Sequence, residues 1–190
     1  MRIIAGEFRG RRIHSPAASG RTRPITDRVK QSLFDRLTAM EALGGQVLDL
    51  FAGTGSLGLE ALSRGADHCT FVEQDQSARQ RLEQNLDMLG IRPRATVAAI
   101  DLLARGSSPP PTSHPIRLVY CDPPYRVMAD QQAAQRLKDV LERIAPRMES
   151  DGLMVLRTDA QTAAPAINGW QEPATHRYGS MAVHLYVTTN

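Results

Sequence analysis

Two short stretches of this sequence carry residue types and spacings that can do chemistry. The first is Asp49-Leu50-Phe51-Ala52-Gly53-Thr54-Gly55-Ser56-Leu57-Gly58. Glycines allow a tight turn and let the backbone come close to a ligand. Gly53 to Gly58 match the G-x-G-x-x-G pattern of dinucleotide-binding turns, which by itself is a weak signal. Glu73, 20 residues after Gly53, strengthens it, because an acidic side chain closing the next strand can grip a ribose diol. The second stretch is Asp122-Pro123-Pro124-Tyr125. Two prolines fix the backbone and remove two N–H donors, so the local carbonyls are free to accept. A carboxylate and a rigid carbonyl together can hold an exocyclic NH2 group, and Tyr125 can stack on the base that bears it. The plainer alternatives are a glycine turn beside a surface glutamate, and a strand-ending turn with an aspartate cap.

Both stretches need elements to hold them at one edge of a sheet. The apolar run 47–51 predicts a strand and 56–65 a helix stopped by Gly65. Residues 68–75 predict a second strand, 77–90 a second helix closed by Gly90, and 95–101 a third strand. A proline-rich loop, 107–115, separates these from a strand within 116–125, a helix over Gln131 to Met148 and a fifth strand at 152–159. The C-terminus reads as two strands joined near Gly179. Strands alternating with helices predict a parallel sheet, to which the last hairpin adds antiparallel strands. The carboxyl edge of such a sheet is where ligands bind. Ahead of this unit, Arg2-Ile3-Ile4-Ala5 and Arg11-Arg12-Ile13-His14 predict a small hairpin, 15–25 a loop, and Thr26 caps a helix with Val29, Leu33, Phe34, Leu37 and Met40 at helical spacing. The expected division is a basic extension, 1–45, and one α/β domain, 46–190.

Charge separates the same two parts. The chain has 190 residues and a net charge of +3. Residues 1–40 carry about +6 and the remainder about −3. Only Lys30 and Lys138 are lysine; every other basic residue is arginine, the side chain that binds phosphate as a bidentate fork. A basic arm on a slightly acidic body predicts a polyanionic partner, though a genome rich in arginine codons would give the same arginine bias. No run of about 18 apolar residues is present, and residues 1–16 lack a signal-peptide core, so neither a membrane span nor export is expected. Cys69 and Cys121 form no disulfide framework or zinc spacing, which fits a reducing cytoplasm. Cys121 beside Asp122 reads as a buried strand residue rather than a nucleophile, and Trp170 as packing. The five histidines have no metal-ligand spacing.

Asp49-x-Phe-x-Gly-x-Gly with Glu73 resembles the first motif and acidic ribose ligand of class I S-adenosylmethionine-dependent methyltransferases. Asp122-Pro-Pro-Tyr is similar to the (N/D)PP(Y/F) motif of those that methylate exocyclic amino groups of bases. The N-terminal residues narrow the likeness: Arg2-Ile3-Ile4-Ala5-Gly6-Glu7-Phe8-Arg9-Gly10-Arg11-Arg12-Ile13, then Thr22-Arg23-Pro24-Ile25-Thr26-Asp27-Arg28-Val29-Lys30 with Leu33-Phe34. With Tyr178-Gly179 and Leu185-Tyr186 at the end, they resemble the bacterial 16S rRNA guanine-N2 methyltransferases of the small ribosomal subunit. The likeness spans nearly the whole chain. It departs at Ile25, where a second threonine is expected, and in the proline-rich loop; neither departure is expected to touch the chemistry.

That resemblance implies a Rossmann-like, mostly parallel sheet with a C-terminal antiparallel hairpin and an N-terminal hairpin and helix. It implies S-adenosylmethionine held by Asp49, Phe51, Gly53, Gly55, Glu73 and Asp101, the last at a position that often meets the adenine amino group but is also an ordinary helix cap. It implies Asp122, Pro123, Pro124 and Tyr125 at the reacting amine, with no metal. The partner is 16S rRNA, in the small subunit or an assembly intermediate, with phosphates bound by Arg9, Arg11, Arg12, Arg21, Arg23 and Arg28. A monomer is the simplest state. A DNA adenine-N6 methyltransferase shares the Asp-Pro-Pro-Tyr chemistry, but the chain is short for a separate sequence-reading domain. A nicotinamide-dependent oxidoreductase leaves Asp122-Pro-Pro-Tyr unexplained, and a non-catalytic RNA-binding module leaves the intact Asp122 and glycines unexplained.

Overall fold

The computed structural model describes residues 1–16 and 25–190. Its centre is a sheet of β1 (Gln46–Leu50), β2 (His68–Val72), β3 (Ala95–Ala98), β4 (Ile116–Cys121), β5 (Met148–Asp159), β6 (Ala174–Tyr178) and β7 (Met181–Val187). The order is β3-β2-β1-β4-β5-β7-β6. The first five strands pair in parallel, while β7 runs antiparallel to both β5 and β6. β1 is buried at every position, as expected of a parallel strand covered on both faces.

The chain goes from β1 outward to β2 and β3, then returns to place β4 on β1's other side. The crevice between the carboxyl ends of β1 and β4 is therefore the topological switch point, where open α/β sheets bind ligands. The two stretches singled out above follow these two strands.

Helices α1 (Asp27–Ala39), α2 (Ser56–Ser63) and α3 (Gln76–Leu89) cover one face. Phe34, Leu62 and Leu86 pack there with Phe71, Tyr120 and Val155. Helices α4 (Tyr125–Ala129) and α5 (Gln131–Ile144) supply the other core, where Val127, Leu137 and Leu141 meet Leu50, Cys121 and Leu156. Local signals set the helix ends. Asp75 and Asp130 accept from Ala78 N and Ala133 N at 2.7 and 2.9 Å, capping α3 and α5. The periodic stretch to Met148 stops being α-helical at Ile144 because Pro146 cannot continue the ladder. The strand expected within 116–125 ends at Cys121, before Asp122-Pro-Pro, and Tyr125, expected in the loop after it, opens the short helix α4.

The expected N-terminal hairpin forms around one antiparallel bridge, Arg2 opposite Arg12, with Ile3 N donating to Arg11 O at 3.0 Å and Ile13 N to Met1 O at 3.1 Å. Its strands go no further because the chain turns over residues 5–10, and its outer side is fastened to α2. Ile4 N and Ala5 N donate to the Glu60 carboxylate at 2.8 and 3.0 Å, and Phe8 N to Ser63 Oγ at 3.0 Å. Ile3, Phe8, Ile13 and Ile25 join the core of the sheet. Glu60, fully buried, also meets Lys30 Nζ at 3.1 Å and Arg64 Nε at 2.9 Å. Burial pushes the Lys30 ammonium below its usual pKa, opposed by Glu60. Lys30 completes the clasp by donating to Arg2 O at 2.8 Å. Among the described residues no helix is long and apolar enough to cross a membrane.

Candidate active site

The turn after β1 is built from three left-handed residues, Phe51 (φ 63°), Gly53 (φ 57°) and Gly55 (φ 88°). Phe51 is the unusual one, since a side chain there costs energy that the surroundings must offset. The glycines have different reasons to be glycine. A Cβ on Gly55 would lie 2.5 Å from Leu82 Cδ1, and one on Gly58 would lie 2.3 Å from Phe71 Cε1. These two let α2 pack against α3 and β2. A Cβ on Gly53 would meet nothing within 4 Å. Its open side leaves the backbone accessible, while its N–H donates to Glu73 Oε2 at 2.8 Å.

One cleft gathers these groups. Asp49, Phe51, Gly53, Glu73, Asp122 and Pro124 line it, together with Thr54, Ser56, Leu57, Gln74 and Arg157. Residues from the N-terminal segment, Met1, Pro16 and Ile25, complete the wall. Ile25 was expected to lie apart from the chemistry; its buried side chain instead forms part of this wall.

Four other expected residues stand outside the lining. Gly55 is a packing residue of α2. Pro123 is buried and Tyr125 half-buried. Asp101 is exposed and accepts from Leu103 N at 3.0 Å, as a turn cap does. With the Gln74 amide turned so that its nitrogen faces Asp101, it donates to both carboxylate oxygens at 3.2 Å. Asp101 is thus one side chain removed from the cleft.

Electrostatically the cleft is acidic. Asp49 is buried and pushed up to about 8, chiefly by loss of hydration, with Asp122 and Glu73 adding repulsion and the Gly58 N–H opposing at 2.9 Å. Burial also raises Asp122, and Arg157 opposes it. Arg157 Nε donates to Asp122 Oδ1 at 2.5 Å. The Ser56 hydroxyl, buried in the same wall, has no hydrogen-bond partner among the described residues, so a ligand donor or acceptor can satisfy it. Cys121 is buried and its thiol is driven well up by burial, which makes it inert as a nucleophile.

Of the arginines expected to bind phosphate, Arg9, Arg12 and Arg28 are exposed. Arg11 is exposed too, but its Nη2 donates to Met88 O at 2.8 Å, near the end of α3. Arg21 and Arg23 lie outside the described residues. Sequence reasoning missed Arg157, Ser56 and Gln74. Only Gln74, adjoining Glu73, and Ser56, inside the glycine run, had any local signal.

A mostly parallel sheet with a glycine-rich turn after one strand and Asp-Pro-Pro-Tyr after its neighbour is the arrangement of Rossmann-like methyltransferases, and this protein is one of them. A solved structure from Escherichia coli superposes with a TM-score of 0.77 at 30% identity, covering 100% of this chain and 98% of that one. A structure from Thermus thermophilus gives 0.75 at 30% identity, covering 97% and 98%. The Ribosomal RNA small subunit methyltransferase D of Escherichia coli K12 is 33% identical over 189 residues, 98% of this chain and 89% of that protein. Its Haemophilus influenzae counterpart of the same name is 38% identical over 141 residues, 72% and 70%. Over residues 1–187 the chain matches the family described as "Conserved hypothetical protein 95", and it belongs to that family.

Proposed function

We propose that this protein transfers the methyl group of S-adenosylmethionine to the exocyclic N2 amine of a guanine in 16S ribosomal RNA, within the small subunit or an assembly intermediate. The observation that carries the reading is that Glu73, Gly53 and Asp122 line one cleft. A site for a nucleoside and an acceptor for an amine are thereby joined. The names of the similar proteins, ribosomal RNA small subunit methyltransferase D, support the substrate class.

The residues present fit the cofactor. Glu73 would take the ribose hydroxyls, the open side of Gly53 would admit the cofactor close to the backbone, and Phe51 and Leu57 would give apolar walls. Gln74, backed by Asp101, would serve the base, and the unpartnered Ser56 hydroxyl could find a polar partner on the cofactor. The buried Asp49 orders the turn through Gly58 N. When bound, S-adenosylmethionine supplies an electrophilic methyl on a sulfonium.

The remaining work falls to this chain. A guanine 2-amino nitrogen is a poor nucleophile because its lone pair is delocalised into the ring. Hydrogen bonds from its two N–H groups to the Asp122 carboxylate and the Pro123 carbonyl localise that lone pair. The Pro123-Pro124 backbone keeps the carbonyl fixed, and Tyr125 stacks on the ring. This is catalysis by positioning, with electrostatic stabilisation of the charge that develops on nitrogen. Asp122 need only accept hydrogen bonds and pass the surplus proton to water. The target base leaves its stack to enter the cleft. Residues 1–45 act as the RNA-binding element, through Arg9, Arg12, Arg21, Arg23 and Arg28 with a lesser part for Arg11, and 46–190 as the transfer domain. The protein works as a cytoplasmic monomer.

The test is an acceptor panel with tritiated S-adenosylmethionine: small subunits lacking the methyl group, naked 16S rRNA and duplex DNA. Label in rRNA and none in DNA is the expected result. Label in DNA alone replaces the substrate with an adenine amine, and label in neither overturns the reading.

A further inference from the structure

Asp122 does not face the cleft alone. Arg157 lines the same cleft from β5, and the sheet register explains why. The last β4–β5 pair is Cys121 with Leu156, so Asp122 and Arg157 are the residues that follow it, side by side on strands roughly 4.8 Å apart. Alternation turns both toward the face that carries Asp49, Tyr120 and Val155, which are in register across β1, β4 and β5. The Arg157 side chain is 7% exposed and that of Asp122 is 21% exposed. Little water screens the contact, and what Asp122 exposes opens on the cleft.

An arginine on this carboxylate makes it a weaker base. For a residue that must abstract a proton early this would be a fault. For one that must present oxygen acceptors in a fixed direction it is the right partner, because a guanidinium fixes both charge and orientation. The charged or titratable groups around Asp122 are Asp49 from β1, Glu73 from the end of β2, Cys121 beside it on β4, and Arg157 from β5. Among the described residues with ionisable side chains lining the cleft, Arg157 is the single basic one, beside the acidic Asp49, Glu73 and Asp122.

The geometry points to Arg157 as the positioning residue of the transfer step: it holds Asp122 as an anion, in one orientation, for the substrate amine. The inference rests on the function proposed above and adds a residue from a different strand to its acceptor site.

The experiment compares wild type with Arg157→Gln and Arg157→Lys, using tritiated S-adenosylmethionine and small subunits lacking the methyl group. In Arg157→Gln, kcat at neutral pH falls roughly 10²-fold, the scale of a misplaced reacting group. KM for RNA and Kd for the cofactor change far less. The acid limb of kcat moves to higher pH, since the cation that opposes protonation of Asp122 is gone. Arg157→Lys restores the acid limb part of the way, because charge is kept, and restores kcat less, because the planar guanidinium that sets Nε against Asp122 Oδ1 is lost. A purely structural role would leave the limb in place. Carbon-13 carboxyl NMR of Asp122 gives the same answer without substrate, with Asp122 titrating at higher pH in Arg157→Gln than in wild type. An unmoved Asp122 titration in folded Arg157→Gln, or a wild-type kcat and acid limb, overturns the inference. Full activity in Asp122→Asn, or a wild type that methylates no ribosomal RNA, overturns the underlying reading, and the NMR titration still decides the Arg157–Asp122 coupling.

Discussion

Glu60, on α2, and Asp122, at the end of β4, are both carboxylates withdrawn from water, and their surroundings differ in a telling way. Glu60 is fully buried and its two oxygens receive Ile4 N, Ala5 N, Lys30 Nζ and Arg64 Nε. Every donor comes from the protein, and the result is a clasp that fastens the first residues and α1 onto α2. Asp122 sits against Arg157 but keeps a fifth of its side chain exposed, in a cleft whose turn includes the left-handed Phe51 and whose wall holds an unpartnered Ser56 hydroxyl. A saturated buried carboxylate organises a fold. One left facing open space, beside strain and an unmet hydroxyl, has room and unmet polarity for a ligand.

The contrast predicts opposite phenotypes. Glu60→Ala strands Lys30 and two amides in the core, and breaking a buried pair costs about 3–5 kcal/mol. Denaturant unfolding checks this. A loss within a few tenths of a kcal/mol would mean that the clasp is not structural. Asp122→Asn removes the charge that faces Arg157 but keeps an oxygen for its Nε–H, so it should cost clearly less stability than Glu60→Ala, and it should lower transfer by about 10²–10³-fold, the range for removing one preorganised electrostatic contact. Calorimetry should show the cofactor still binding. A fold that collapses on Asp122→Asn would erase the distinction between the two carboxylates.

How far these contrasts can be read in sequence depends on distance along the chain. That the glycine turn with Glu73 and the Asp-Pro-Pro-Tyr stretch stand at strand ends was legible because each follows an apolar run directly. The parallel sheet and final hairpin were legible because β1, β2, β4 and β5 are apolar runs separated by helical periodicity and glycine stops. Arg157 was not legible. Its partner lies 35 residues away, and only the β4–β5 register brings them together. The docking of the N-terminal hairpin was hidden for a similar reason: Glu60, which accepts from Ile4 N and Ala5 N, lies more than 50 residues on. Ile25 was read as incidental because nothing local shows that it faces the cleft.

Smaller effects sharpen the comparison within the cleft itself. Glu73→Ala removes the carboxylate assigned to the ribose hydroxyls, and losing hydrogen bonds to a charged group costs about 1.5–3 kcal/mol. Titration calorimetry should show S-adenosylmethionine binding weakened accordingly, with an unchanged Kd removing Glu73 from the site. Gly53→Ala and Gly55→Ala separate ligand approach from packing. At Gly55 the new methyl meets Leu82, and overpacking costs about 1–3 kcal/mol of stability. At Gly53 there is space in the protein, so beyond the strain of its positive φ the loss should appear in cofactor affinity. Equal effects of the two on both measurements would show that the glycines share one role.

The smallest expected effect concerns the arm. Replacing Arg9 and Arg12 together by alanine should flatten the slope of log affinity for rRNA against log salt, by about one unit for each phosphate that is no longer neutralised. Arg11→Ala should flatten it less, since Arg11 is engaged with Met88 O. Filter binding across a salt series measures both, and an unchanged slope in the double variant removes the arm from the phosphate interface.

The most direct test of the central claim is nucleoside mass spectrometry of 16S rRNA taken from small subunits lacking the modification, after incubation with S-adenosylmethionine and either wild type or Asp122→Asn. The account predicts N2-methylguanosine with wild type and background levels with the variant. N2-methylguanosine in equal amounts from both, or a methyl group on any other atom, would contradict it.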